Sequence, residues 1–80
     1  MNEIIELLIE HVRDESGYTG PIGADDDLIQ AGILDSYSIV SLALFAQERF
    51  GIELEGDDLV RENVARLSAL AKLIAQRRVA

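Results

Sequence analysis

Two hydroxyls and a carboxylate stand together in Asp35-Ser36-Tyr37-Ser38, at the end of a loop and the start of an apolar helical run. A nucleophilic serine needs a base within hydrogen-bond reach and donors for the developing oxyanion. The only histidine is His11, in the middle of the amino-terminal helical pattern, and nothing in the sequence brings it to Ser36. His11 reads as a solvated or boundary helix residue. A chain of 80 residues is also expected to form no deep cleft, so intrinsic catalysis is not expected.

Asp25 and Asp27 stand two apart, as do the first ligands of a calcium loop. That template then asks for Asp or Asn at Ile29, Gly at Gln30 and Glu at Ser36, and all three positions fail. Asp25-Asp26-Asp27 reads instead as a solvated helix cap, and no metal site is expected. Asp and Ser are favoured helix-capping residues, so Asp35-Ser36 also reads as the start of a helix. A serine there is exposed beside helix N-terminal amides, which suits it to carry a phosphodiester as well.

The elements that position this stretch follow from periodicity. Asn2 can cap a first helix with Glu3 and Glu6 near its start, where the dipole favours acids. Ile4, Ile5, Leu8 and Val12 form its buried stripe, with Leu7 and Ile9 on the shoulders, and it should end near Asp14 or Glu15. Ser16 to Ala24 holds three of the six glycines and the only proline, and reads as a loop with Ile22 tucked inward. Asp25 to Asp27 cap a turn whose Leu28 and Ile29 plug the bundle, and Gly32 releases the chain toward Ser36.

From Asp35 the pattern is helical to Gly51, with Ile39, Val40, Leu42, Ala43, Ala46 and Phe50 as its apolar face. Leu44 and Phe45 carry apolar character further round than one buried face requires, which invites a partner. Ile52-Glu53-Leu54 is an extended link. Asp57 and Asp58 should cap a brief helix through Leu59, Val60 and Glu62, which Asn63-Val64-Ala65 leaves. A last helix runs from Leu67 to Arg77, burying Leu67, Leu70, Leu73 and Ile74, with Arg77 and Arg78 at its carboxyl end. The expectation is an all-α bundle with three main helices, one short third helix and a long first loop, forming a single domain over residues 1–80.

Composition agrees with helices, since only two Phe and two Tyr are aromatic and the core must be built from Leu, Ile, Val and Ala. Seven basic against fifteen acidic residues give a net charge of −8. That field repels nucleic acid and anionic lipid, and it steers toward basic patches on proteins. Cysteine is absent, so no disulfide or zinc framework supports the fold. No basic leader segment precedes Glu3, and no apolar run approaches the roughly 18 residues that span a bilayer, so a cytoplasmic protein without membrane insertion is the expectation.

Longer motifs carry more weight than the Asp-Ser pair. Asp27-Leu28-Ile29-Gln30-Ala31-Gly32-Ile33-Leu34-Asp35-Ser36, then Val40-Ser41-Leu42, Arg49-Phe50-Gly51-Ile52-Glu53-Leu54, Asp57-Asp58-Leu59 and Asn63-Val64 resemble the acyl carrier protein family over nearly the whole chain. The resemblance implies a four-helix acyl-carrier-type bundle whose Ser36 receives a 4′-phosphopantetheine arm from coenzyme A. A phosphopantetheinyl transferase would supply the base and metal, with Asp35 as cap and transferase contact. The arm's thiol would hold an acyl or aminoacyl group as a thioester, and the carrier would be a substrate of other enzymes rather than an enzyme.

Partners implied by the resemblance are that transferase, an acyl- or aminoacyl-activating (adenylation) enzyme and downstream acyl-transferring enzymes, met by a monomer. Tyr37, Val40, Leu44, Glu48, Asp57 and Asp58 are the expected partner contacts. Ser38 competes as an attachment site and is set aside because the family's modified serine follows the aspartate directly. Tyr37 reads either as a half-buried residue beside the loop or as a partner-contact aromatic. Fatty acid carriers have a markedly acidic second helix, whereas Ser38, Ser41 and Gln47 occupy those positions here, with Leu44 apolar and Glu48 retained. In this respect the chain looks closer to D-alanyl carriers and free-standing carriers of specialised pathways, with docking more apolar than electrostatic. The alternative is an acidic helical interaction module that presents Tyr37, Val40, Leu44 and Phe45 and carries no prosthetic group.

Overall fold

The computed structural model describes residues 2–78, apart from the side chain of residue 2. Four α-helices follow one another: α1 (Asn2–Ser16), α2 (Ser36–Phe50), α3 (Arg61–Val64) and α4 (Leu67–Arg77), with a 3₁₀ turn at Gly56–Asp58. Among the described residues there is no strand, and the expected all-α bundle with a long first loop is what forms. Asn2 lies within α1, and its expected capping role falls outside the described residues.

The core is aliphatic, as the shortage of aromatics required. Ile4, Leu8 and Val12 of α1 meet Leu42 and Ala46 of α2, Val64 of α3, and Leu67, Leu70, Ala71 and Ile74 of α4. Each large aliphatic side chain removed from water contributes about 1.5–3 kcal/mol before ordering costs. Helix α1 packs against both α2 and α4, and α3 packs on α4. Leu28 and Leu34 from the long loop and Ile52 from the link are buried in the same cluster, while Ile5, Ile9, Ile22, Ile29 and Leu73 pack at its edge.

Helix α1 runs to Ser16, whose hydroxyl donates to the Val12 carbonyl at 2.6 Å. Gly17, at φ 73°, then turns the chain while its N–H donates to Arg13. Helix α2 starts and stops where its capping residues dictate, at Asp35 and at Gly51 in the left-handed region. Its buried face is narrower than the sequence suggested. Leu42, Ala43 and Ala46 are buried and Ile39 and Phe50 partly so, but Val40 is 52% exposed. A helix apolar on most sides still turns only one stripe to its neighbours, and Val40 lies on the other.

The expected third helix from Asp57 to Glu62 is corrected. Asp58 closes a 3₁₀ turn instead: its carboxylate accepts the Glu55 N–H at 2.9 Å while its own N–H donates to the Glu55 carbonyl at 2.9 Å. The α3 helix begins only at Arg61 and includes Asn63, whose side-chain amide donates to the Asp58 carbonyl at 3.0 Å. Helix α4 lacks a capping side chain at Arg66. One of its orphan donors is met from the long loop, where the Ala24 carbonyl accepts the Ser68 N–H at 2.8 Å.

Candidate functional site

The approach to Ser36 is held by main-chain bonds that begin between α3 and α4. Ala65, between α3 and α4, accepts the Leu28 N–H at 2.8 Å, and the Leu28 carbonyl accepts the N–H groups of Ile33 and Leu34 at 2.9 and 3.0 Å. Gly32 makes the reversal at φ 78°, a conformation that favours glycine. Leu34 is buried, so the chain enters α2 with Asp35 and Ser36 already aimed outward.

Each member of the acidic triplet has a separate task in this loop. Asp25 accepts the Ser68 hydroxyl at 2.6 Å, Asp26 accepts the Gly23 N–H at 2.8 Å, and Asp27 accepts the N–H groups of Ile29 and Gln30 at 3.1 and 2.9 Å. Asp27 also pairs with Arg61 at 3.1 Å. The Gln30 bond, aided by Arg61, holds the Asp27 carboxyl below the usual carboxylate range. Asp27 thus caps a turn rather than a helix and, at 18% side-chain exposure, is the least solvated of the three, while Asp25 and Asp26 are exposed and tie the loop. Among the described residues no acidic or histidine cluster is arranged to hold a metal ion.

At the start of α2, Asp35 Oδ1 accepts both the backbone N–H of Ser38 at 2.9 Å and its hydroxyl at 3.0 Å. These two bonds hold the Asp35 carboxyl below its ordinary value. Ser38 is partly buried and its hydroxyl is committed. Ser36 is exposed, and its hydroxyl makes no hydrogen bond among the described residues. It sits beside the orphan N–H groups of a 15-residue helix, which favour a negative charge.

Among the described residues no base is hydrogen-bonded to this hydroxyl. His11 lies against the middle of α2, with its Nε2 3.3 Å from the Ser41 hydroxyl and its ring stacked on Phe45 at 4.4 Å. It is a boundary residue, as read from the sequence, but one that ties α1 to α2. Sequence reasoning missed this contact because nothing in a single helix pattern says which residues of a distant helix will face it. An unengaged, exposed hydroxyl at a helix start, with no base of its own, fits an acceptor of a phosphate ester attached by another protein.

Outward from Ser36, α2 presents Tyr37, Val40, Leu44 and Glu48 at helical spacing, with Tyr37 75% and Leu44 54% exposed. Tyr37 is thus not the half-buried residue that one reading allowed. Ser41 and Gln47, expected on this surface, are partly buried and engaged: Ser41 with His11, and Gln47 Oε1 with the Leu54 N–H at 2.9 Å. Phe45 belongs with His11 and not with the exposed stripe. Asp57 is exposed, whereas Asp58 is gripped by Arg77 at 2.7 and 2.9 Å.

Neither the curated proteins nor the solved structures supplied a matching relative. Residues 6–74 match a family model described as "Phosphopantetheine attachment site". Carrier domains of this kind are generally not catalytic, and they interact with phosphopantetheinyl transferase and with other enzymes. Among the described residues no helix is long and apolar enough to cross a membrane. With the match covering most of the chain and the bundle all-helical, the protein belongs to the acyl carrier family, a carrier whose covalent prosthetic group is 4′-phosphopantetheine.

Proposed function

We propose that Ser36 is the attachment serine, and that the protein is a discrete acyl or aminoacyl carrier serving a specialised biosynthetic pathway. The observation that carries the assignment is the contrast between two neighbouring hydroxyls: Ser36 is exposed and unengaged, whereas Ser38 donates to Asp35. Bound there, the prosthetic group supplies a thiol that holds cargo as a thioester. The residues of this chain place it. Asp35 fixes the helix start, the helix amides face the phosphate, and Leu34 with Leu28 keeps the loop from collapsing over Ser36.

The specialised reading rests on the outer face of α2. Tyr37, Val40 and Leu44 give it an apolar stripe ended by Glu48, which favours partners with an apolar seat over those with only a basic patch. An activating (adenylation) enzyme and downstream acyl-transferring enzymes are the proposed users, with a monomeric carrier working in the cytoplasm. The same stripe would serve an interaction module, but the phosphopantetheine that the family carries favours the carrier reading.

Incubation with coenzyme A and a broad phosphopantetheinyl transferase, read by intact-mass spectrometry, tests the attachment. The added mass is expected in the natural chain and in Ser38→Ala, and is expected to be absent in Ser36→Ala. Mass gained by Ser36→Ala overturns the assignment. Loading of the holo-protein by an adenylating enzyme, against loading by an enzyme of fatty acid synthesis, tests the pathway class.

A further inference from the structure

Beside Ser36 the surface is not flat. An open depression of about 540 Å3 runs between the end of α1, the bend after Gly32 and the first turn of α2, with Ser16, Tyr18, Ala31, Ile33 and Tyr37 among its walls. Its size falls within the roughly 300–1,000 Å3 of small-ligand sites. A second hollow of about 340 Å3 shares Tyr18, Ala31 and Ile33 with the first and continues toward Pro21 and Gln30. Both neighbours of Ser36 in the chain, Asp35 and Tyr37, line the first hollow, so anything attached to Ser36 starts at its rim.

We propose that this trough is a resting seat for the neutral part of the prosthetic arm, with the arm lying across Tyr18 and Ile33 rather than along the outer face of α2. The inference rests on attachment at Ser36. Charge decides which part of the arm enters. Glu15 lines the trough and disfavours a phosphate there, so the phosphate stays where it is esterified at Ser36, whereas the arm beyond it carries only a gem-dimethyl group, a hydroxyl, two amides and a thiol. The apolar surfaces of Ile33, Ala31 and the Tyr18 ring suit the methyls.

The seat leaves Val40 and Leu44 of the α2 stripe free for a partner, while Tyr37 belongs to both surfaces. A partner that covers Tyr37 would close one wall of the trough and favour release of the arm toward its own active site.

The chain has no cysteine, so the arm's thiol is the single thiol of the holo-protein and can take a nitroxide label. In the labelled natural chain, the amides of residues 17–18 and 30–33 are expected to broaden far more than those of Val40, Leu44 and Glu48. In the unlabelled holo-protein, the arm's methyls are expected to show nuclear Overhauser contacts to the Tyr18 ring and Ile33. Ala31→Phe fills the trough and is expected to abolish both effects while retaining the added mass. Broadening spread evenly or centred on Val40 and Leu44, or contacts that persist unchanged in a folded Ala31→Phe, would overturn the seat. If Ala31→Phe does not fold, the labelled natural chain still decides. Absence of added mass at Ser36 overturns attachment and seat together, whereas added mass without these contacts overturns the seat alone.

Discussion

Asp35 Oδ1 receives two hydrogen bonds from Ser38, one from the backbone and one from the side chain, at 2.9 and 3.0 Å. One carboxylate oxygen thereby caps α2 and removes the competing hydroxyl, while Ser36, enclosed by the pair in sequence, stays unengaged. Removing the acceptor loosens the first turn that presents Ser36.

Asp35→Ala is expected to lower the thermal midpoint by about 5 °C through loss of the cap. Asp35→Asn keeps an acceptor oxygen and should lose less. Circular dichroism melts of the two variants check this ordering. Equal midpoints for Asp35→Ala and the natural chain would show that the cap does not hold the helix start.

Much of this geometry is legible without coordinates. Asp35 and Gly51 bracket α2 because capping chemistry is local, and Leu67 to Arg77 is found to its last residue because its apolar spacing and terminal arginine agree. What is not legible is set across the chain. Ser41 and Gln47 look like free surface until His11 and Leu54 are brought beside them. The 3₁₀ turn in place of a longer third helix likewise depends on Asp58 meeting Glu55 and Arg77, which no helical period encodes. For the same reason the trough beside Ser36 is invisible in the sequence: its walls come from three separated segments.

Gln47 is the test of that second class. Its Oε1 accepts the Leu54 N–H, and its backbone carbonyl accepts the Ile52 N–H at 3.2 Å, so one residue moors the link after Gly51. Gln47→Ala leaves the Leu54 N–H, half-buried, without its partner. A loss of about 1–2 kcal/mol is expected. Denaturant unfolding measures it, and hydrogen exchange should show faster opening at Leu54 than at Leu42. Unchanged exchange at Leu54 would mean that water replaces the side chain at no cost.

Acid should weaken the pair between Asp58 and Arg77. The Glu55 N–H and the Arg77 guanidinium hold the Asp58 carboxyl below its ordinary value of 3.8, so the native state binds fewer protons there than the unfolded chain. The stabilisation is therefore fully present above 3.8 and is lost as the pH falls through the lower native value. The pair is partly solvated, with Arg77 at 40% and Asp58 at 13% side-chain exposure, so the effect is modest. Asp58→Asn is expected to melt about 2–5 °C lower at pH 7, with the gap closing toward pH 2. A gap independent of pH would assign the effect to the bond from the Glu55 N–H rather than to charge.

The exposed stripe of α2 separates partner binding from folding. Val40 and Leu44 are more than half exposed, so Val40→Asp and Leu44→Asp should each change stability by no more than about 0.5 kcal/mol. They also lie one and two turns beyond Ser36, on the side where we propose that partners dock. If docking is apolar, either substitution desolvates a carboxylate against the partner's seat, and acyl transfer from an activating enzyme should fall by roughly 30-fold or more in kcat/KM, the loss typical of an interface hot spot. Attachment of the arm can be followed separately by mass, which distinguishes a lost partner from a lost prosthetic group. Raising the salt concentration provides the contrast. An electrostatic interface weakens steeply with added salt, whereas transfer through Tyr37, Val40 and Leu44 should be nearly insensitive to it. Strong salt dependence together with wild-type transfer by Leu44→Asp would reassign docking to the acidic residues Glu48 and Asp57.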